Sequence, residues 1–361
     1  MVKHWWPVHD EDEIGAVLAV LRAGRTNYWT GDQGRTFEQE WAAYVGAPYA
    51  LTCSSGTTAL ELALGALDLC GGDVIVPART FVACASAVIT AGGWPVLADI
   101  DRETLCVNWS TIRAALTPRV RAVMVVHYAG LPIPVMEMAE IRRQCNAHGI
   151  ALIEDCAHAH TNEVAQWGDI SCWSMCVGKV MSTGGEGGMV VTHNDRLFRR
   201  MTARRDHGRY QMIGSREAAD LTTFRYTVET WGTNARMTEM QAVIGRFQLR
   251  KLPAWISRRR EIMRRYDHAL GQRVYIDHLG HGGYMYLLRV DPGARERVLA
   301  KVPHARWGGC ANIGHEPAFR GEARACPVAD AVGREIVSLP VYPTMTDEEV
   351  DDICRAVKRE L

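Results

Sequence analysis

Two charged residues follow apolar runs, in positions where they could do chemistry. Asp155 ends the run IALIED (150–155). A carboxylate there is costly to bury unless a cation or a hydrogen-bond donor meets it. Lys179 follows the run DISCWSM (169–175), and a lysine that loses its water in a crevice can become a Schiff-base nucleophile. Plainer roles stay open, because Asp155 could cap the next helix and Lys179 could lie on the surface.

A third segment, SSGTTALELAL (54–64), has the composition of a phosphate site. Small residues and a glycine lead into a helical pattern, and the first N–H groups of a helix bind phosphate well. The hydroxyls of Ser55, Thr57 and Thr58 are close by in sequence. An ordinary N-cap is the plainer interpretation, and we predict no strand directly before the segment. The pattern is neither a Walker A loop nor G-x-G-x-x-G, so it does not indicate a nucleoside triphosphate or NAD.

A phosphate cradle, a buried carboxylate and a lysine together could hold pyridoxal 5′-phosphate (PLP). The carboxylate would keep the pyridine nitrogen protonated, which makes the ring an electron sink, and the lysine would bond to the aldehyde. The glycine-rich stretch STGGEGG (182–188) after Lys179 has two interpretations. It is either a flexible turn before a buried strand or backbone that needs unusual dihedral angles or a close approach in order to hold the lysine at a cofactor.

The elements that would position these residues form an α/β pattern. Six apolar runs predict strands at 73–77, 94–100, 121–128, 150–155, 169–175 and 187–192. Helical patterns lie between several of them, at 57–67, 80–92 and 136–149. Nearly continuous apolar runs alternating with helices indicate a mainly parallel sheet that is covered on both faces. Ligands of such sheets bind outside the carboxyl ends of the strands, which is where Asp155 and Lys179 are predicted to lie.

The pattern changes near residue 240. A long helix over 237–252 is predicted to lead through Pro253 into a second helix. A strand at 284–290 and helices at 294–301 and 346–361 follow, the last with Thr346 as N-cap and Glu349 three residues on. We therefore expect a large domain over 1–245 and a smaller α+β domain over 246–361.

Charge and cysteine content argue against several classes of protein. Lys+Arg and Asp+Glu each total 41, so no net charge attracts nucleic acid or an anionic membrane. The basic run ISRRREIMRR (256–265) spreads its arginines around a helix. No run approaches the ~18 apolar residues of a membrane span, and the N-terminus lacks a signal-peptide pattern. The eleven cysteines contain no C-x-x-C pair and no zinc spacing, so we expect reduced thiols, no metal site and a cytoplasmic protein.

Six collinear motifs resemble the DegT/DnrJ/EryC1/StrS family of PLP-dependent aminotransferases. They are SSGTTALELAL, VIVPARTFVACASAVITAGGWPVLADID, VVHYAGLP, IEDCAHAH, SMCVGKVMSTGGEGGMVVT and GTNARMTEMQAVIGRFQL. The resemblance covers roughly residues 5–255, and the segment VSLPVYPTMTDEEVDDI near the end is a weaker match. It implies the type I, aspartate aminotransferase-like fold, in which a large α/β domain carries a smaller C-terminal domain.

The resemblance also implies which residues contact the cofactor ring. Lys179 matches the Schiff-base lysine, and Asp155 matches the aspartate that meets the pyridine nitrogen. His158 falls where the family has Gln or His near the ring hydroxyl. Phe81 falls where an aromatic side chain stacks on the ring.

The phosphate contacts and the partner chain are implied in the same way. Gly56, Thr57 and Ser174 match phosphate contacts. Asn234 in GTNARM is similar to the asparagine that reaches the phosphate of the neighbouring subunit. The resemblance thus implies a homodimer whose two active sites lie at the interface.

The implied reaction takes an amino group from glutamate or glutamine to a keto group, in two half-reactions. A sugar ketone, most often nucleotide-linked, is the favoured acceptor, and a cyclitol or a 3-amino-5-hydroxybenzoate-type acceptor is the alternative. A dehydratase and a non-catalytic sensor are further alternatives, although the dehydratase branch typically has histidine in place of the lysine. The chain departs from the family at the short segment TNEVAQWG (161–168) and in its compact C-terminal region. Both places commonly shape the acceptor pocket.

Overall fold

A seven-stranded sheet forms the centre of the molecule. The structure is a computed structural model that describes residues 6–209, 227–271, 281–322 and 325–361. The N-terminal signal-peptide prediction therefore lies partly outside the described residues. The strands are β1 Tyr49–Cys53, β2 Asp73–Pro77, β3 Trp94–Ala98, β4 Val120–Val126, β5 Ala151–Asp155, β6 Ile170–Ser174 and β7 Gly188–Thr192. Their order in the sheet is β1-β7-β6-β5-β4-β2-β3.

The sheet is mainly parallel, as predicted. Strands β3, β2, β4, β5 and β6 pair in parallel, while β7 pairs antiparallel with β6 and with β1. All six predicted strands are present. Their near-continuous apolar runs reflect burial on both faces; every residue of β2, for example, is buried.

The prediction that no strand precedes SSGTTALELAL was wrong, because β1 ends at Cys53, just before it. The polar Thr52 interrupts the apolar pattern of this strand. Thr52 is nevertheless fully buried, and its hydroxyl donates to Glu38 Oε1 at 2.9 Å. The partner of the Thr52 hydroxyl is the carboxylate of Glu38, 14 residues away in sequence. The pattern of apolar and polar residues around Thr52 does not reveal such a partner.

Helices cover both faces of the sheet and connect its strands. They are α1 Glu11–Ala23, α2 Gln33–Val45, α3 Gly56–Leu67, α4 Ala83–Thr90, α5 Trp109–Ala115, α6 Val135–His148, α7 Asp195–Arg205, α8 Glu239–Leu270, α9 Pro292–Lys301, α10 Pro327–Glu335 and α11 Asp347–Glu360. None of the helices in the described ranges is long and apolar enough to cross a membrane.

Helix α8 continues through Pro253, where two separate helices were predicted. A proline inside a helix removes one backbone hydrogen bond and costs about 3 kcal/mol. The flanking side chains of Leu249, Leu252 and Ile256 are buried, and this burial offsets the cost. The predicted domain boundary between residues 245 and 246 falls inside this helix and stays a prediction.

A second, antiparallel sheet follows α8. Its strands are β8 Tyr286–Arg289, β9 Arg306–Trp307 and β10 Ile336–Leu339, in the order β8-β10-β9. An apolar cluster joins this sheet to the C-terminal half of α8 and to α9 and α11. The predicted cap of the last helix is confirmed, because the side chains of Thr346 and Glu349 each accept a hydrogen bond from the other's backbone N–H.

Candidate active site

A cavity of about 490 Å³ lies where the parallel strands end. Val126, Asp155 and Cys172 are side by side in register at this edge of the sheet, and all three line the cavity. The volume is within the range of small-molecule sites. The cavity brings together seven of the eight predicted site residues, namely Gly56, Thr57, Phe81, Asp155, His158, Ser174 and Lys179.

The eighth predicted residue, Asn234, is not among the residues that line this cavity. It is exposed and forms an isolated β-bridge with Asp206. Its neighbour Ala235 accepts a hydrogen bond from the Ser54 N–H at 3.0 Å, so this segment runs beside the start of α3. The role of Asn234 at the site of a neighbouring subunit stays a prediction.

Asp155 is buried at the edge of the sheet, with 5% of its surface exposed. Its Oδ1 accepts from the Ala157 N–H at 2.9 Å, and its Oδ2 accepts from the Cys84 thiol at 3.1 Å. No helix follows for it to cap. In the described part of the chain, Asp155 takes part in no ion pair. A buried carboxylate is costly without a cation, so this site fits a ligand that presents a protonated nitrogen.

The start of α3 forms the other side of the cavity. Ser55 is the N-cap, as its Oγ accepts from the Thr58 N–H at 3.1 Å. The next two residues, Gly56 and Thr57, line the cavity, and N–H groups at these positions have no partner inside a helix. A Cβ on Gly56 would lie 2.5 Å from Ser174 Cβ, so only glycine lets the helix begin so close to β6. These donors and hydroxyls fit a phosphate group.

Lys179 is held at both its side chain and its backbone. Its Nζ lies 4.9 Å from the ring centroid of Tyr284. Its carbonyl oxygen accepts from the indole N–H of Trp6 at 2.7 Å, and the Trp6 ring packs edge-on against Trp255. Neither Tyr284 nor Trp6 was predicted as a site residue. They are far from Lys179 in sequence, and no spacing rule connects them to it.

His158 lies next to Lys179 as a neutral imidazole. Its Nδ1 accepts from the Ala129 N–H at 3.2 Å, and its ring stacks on Tyr284 at 4.5 Å. Burial, together with the nearby Lys179 charge, holds the pKa of His158 well below its ordinary value. Because Nδ1 acts as an acceptor, the single ring proton is on Nε2. His158 is therefore a hydrogen-bond donor through Nε2.

The glycines after Lys179 have conformations and contacts that disfavour a larger residue. Gly184 and Gly185 have φ values of 82° and 130°, a region that favours glycine. A methyl group on Gly188 would collide with the carbonyl oxygen of Ser55. The close approach that the structure shows is to the segment that starts α3, and an approach of these glycines to the cofactor or a partner chain stays a prediction.

A cluster of His127, Glu154 and Cys156 lies next to the cavity, with potential ligand atoms within 4.8 Å of one another. Glu154 accepts from His127 Nε2 at 2.9 Å and from the Trp167 N–H at 3.0 Å, and the other ring nitrogen of His127 accepts a backbone N–H. Burial works to raise the pKa of Glu154, but these hydrogen bonds leave it below its ordinary value. The oxygens are used to fasten the short segment 161–168, which is a structural role.

Comparisons with known proteins agree with this geometry. The model of the DegT/DnrJ/EryC1/StrS aminotransferase family matches residues 7–358. UDP-N-acetyl-3-dehydro-α-D-glucosamine 3-aminotransferase of Acidithiobacillus ferrooxidans is 34% identical, over 99% of this chain and 96% of its own. The dTDP-4-dehydro-2,3,6-trideoxy-D-glucose 4-aminotransferase of Saccharopolyspora spinosa is 31% identical, over 100% of this chain and 98% of its own.

A solved structure supports the same assignment. The aminotransferase from Psychrobacter cryohalolentis superposes with a TM-score of 0.88 at 32% identity, covering 98% of this chain and 97% of that one. The identities and coverages are high enough to show the family as well as the fold. The chain belongs to the DegT/DnrJ/EryC1/StrS aminotransferase family and is a PLP-dependent aminotransferase of fold type I.

Proposed function

We propose that this aminotransferase moves an amino group from glutamate or glutamine to a keto group of a nucleotide-linked sugar. The observation that carries the proposal is the single cavity that joins Lys179, Asp155 and the start of α3. Two relatives of nearly the same length are named for keto groups on UDP- and dTDP-linked sugars. Their names support a nucleotide sugar as the acceptor class.

Bound PLP supplies an electron sink for the charge that develops at the substrate's α carbon. We assign the bond to the cofactor aldehyde to Lys179 Nζ. The free Lys179 amine would serve as the general acid and base that takes up and returns the proton of the donor's α carbon. The carboxylate of Asp155 would keep a proton on the ring nitrogen.

The remaining predicted residues orient the cofactor. The Nε2–H of His158 would donate to the ring hydroxyl, and the ring of Phe81, which is 59% exposed in one chain, would cover a face of the pyridine ring. Gly56, Thr57 and Ser174 would hold the phosphate through N–H and hydroxyl groups. These residues would thereby orient the substrate's α carbon toward Lys179, which is where the proton must be moved.

The residues of β9 support an anionic acceptor. Arg306 and Trp307 are both exposed and both line the cavity. A guanidinium group can bind a diphosphate through charge-assisted hydrogen bonds, and an indole ring can stack on a nucleobase. A neutral cyclitol ketone has neither a phosphate nor a nucleobase, so a nucleotide sugar is the better fit to this pair of side chains.

Absorption spectroscopy tests this function. We expect the purified protein with PLP to show a visible absorption band that L-glutamate or L-glutamine removes. A UDP-3-keto or dTDP-4-keto sugar should then restore the band. Restoration by a cyclitol ketone alone would establish the alternative acceptor, and release of ammonia without amino transfer would indicate a dehydratase. A protein that takes up no PLP would overturn the proposal.

We further propose a cytoplasmic homodimer with shared active sites. All eleven cysteines carry free thiols, which supports a reducing compartment. Near Asn234, the side chains of Val228 and Trp231 are 56% and 90% exposed. Exposed apolar side chains next to a predicted partner-site residue support burial of this segment against a second copy of the chain.

Mixing two inactive variants tests the shared site. We expect Lys179→Ala and Asn234→Ala homodimers each to lose most activity and their mixture, after subunit exchange, to recover about a quarter of the wild-type activity. The reason is that half of the dimers are then mixed, and one of the two symmetric sites in each mixed dimer is intact. If Asn234 acted in its own chain, neither site would be intact and no activity would return.

A further inference from the structure

The second oxygen of Asp155 is held by a thiol. Cys84, at the start of α4, has no exposed surface, and its Sγ lies 3.1 Å from Asp155 Oδ2. The other oxygen of Asp155 is held by the Ala157 N–H. Both oxygens of Asp155 are therefore fixed from inside the protein.

The direction of this hydrogen bond follows from proton counting. An ionised carboxylate only accepts, so the Cys84 S–H is the donor. Burial, and then the charge of Asp155, raises the pKa of Cys84 well above its ordinary value, so the thiol keeps its proton.

Thr80 completes a chain of hydrogen bonds. Its Oγ1 lies 3.3 Å from Cys84 Sγ, and Thr80 is itself 2% exposed. Because the single proton of the thiol is directed at Asp155, the hydroxyl of Thr80 must donate to the sulfur. The chain therefore runs from Thr80 through Cys84 to Asp155, and donation to the sulfur polarises the S–H group.

We propose that Cys84, supported by Thr80, is a positioning residue that fixes the Asp155 carboxylate and tunes the negative charge this carboxylate presents to the cofactor. The inference rests on the proposed role of Asp155. The positive end of the S–H dipole partly offsets the charge on Oδ2. Without this dipole, Asp155 presents more negative charge, and the pKa of a nearby protonated group rises.

The test compares Cys84→Ala with Cys84→Ser. In the alanine variant we expect the pH midpoint of the visible band of the PLP-bound protein to rise by about 0.5 unit. We also expect the apo-protein to bind PLP several-fold more weakly, because the carboxylate is less firmly held. Serine keeps a donor and an acceptor, so Cys84→Ser should return both values toward the wild type. Thr80→Val should shift the midpoint in the same direction as Cys84→Ala, by less.

Cys145→Ala is the matched control. It removes another fully buried thiol from the same apolar core, on α6, and should leave the midpoint unchanged. The inference is overturned if Cys84→Ala matches the wild type, if Cys84→Ser is as impaired as Cys84→Ala, or if Cys145→Ala shifts the midpoint equally. A wild-type protein that binds no PLP would overturn the proposed role of Asp155, and this inference with it.

Discussion

Replacing Lys179 by alanine should abolish amino transfer and remove the visible absorption band of the bound cofactor. Lys179 is the one lysine among the residues that line the cavity. The covalent role and the proton-transfer role that we propose for it both depend on the same Nζ atom. Positioned acid–base catalysis alone contributes about a hundred- to ten-thousand-fold, so we expect a loss of about ten-thousand-fold or more in kcat. The measurement is a coupled transamination assay alongside the absorption spectrum.

Two controls separate this loss from misfolding. Lys301 lies on α9, is exposed and pairs with Glu360, so Lys301→Ala should keep the wild-type rate. A small primary amine added to the Lys179→Ala variant should restore part of the half-reaction, because it can replace the missing base. A Lys179→Ala protein that transaminates at the normal rate would disprove the assignment.

Much of the site could be predicted because its signals are local. Asp155 and Lys179 each follow an apolar run that forms a buried strand, and the carboxyl ends of those strands meet at one edge of the sheet. Burial of both sheet faces makes such runs apolar throughout, and for this reason all six strands could be predicted from the sequence. A charged residue just beyond such a run is then conspicuous.

The features that were missed depend on distant contacts. Thr52 breaks the pattern of β1 because its hydroxyl is satisfied by Glu38 on α2. Trp6 holds the Lys179 carbonyl across 173 residues of sequence. Tyr284 stacks on His158 from the segment just before β8, 126 residues further along the chain. In each case the partner is supplied by the tertiary fold, and no window of local sequence contains both groups.

The prediction of a helix break at Pro253 was wrong for the opposite reason. The local sequence signal was clear, but tertiary packing outweighed it. A proline predicts a break, yet α8 packs along its whole length, with Leu252 fully buried beside the proline. Burying one such side chain contributes about 1.5–3 kcal/mol. A few of these contacts exceed the local cost of the proline.

Replacing Asp155 by asparagine should slow the half-reaction with the amino donor by about a hundred- to a thousand-fold, while PLP still binds. Asparagine has nearly the same shape, and its carbonyl oxygen can still accept from the Ala157 N–H. It lacks the negative charge that we propose keeps the ring nitrogen protonated, and losing one such electrostatic contact in an active site costs about this much. Stopped-flow absorbance of the PLP-bound protein, mixed with glutamate or glutamine, measures the rate directly.

Asp99→Asn is the matched control, because Asp99 directly follows β3 and is not among the residues that line the cavity. The Oδ1 and Oδ2 atoms of Asp99 accept from the N–H groups of Ala329 and Val328, respectively, at the start of α10, and the single oxygen of asparagine can keep the bond to Ala329. We expect its half-reaction to match the wild type. If Asp155→Asn also matched the wild type, the charge of Asp155 would have no part in the reaction. If Asp155→Asn lost PLP altogether, the role of Asp155 would be to hold the cofactor. The difference in rate between the two variants measures the electronic effect of the Asp155 charge only when both variants keep their PLP.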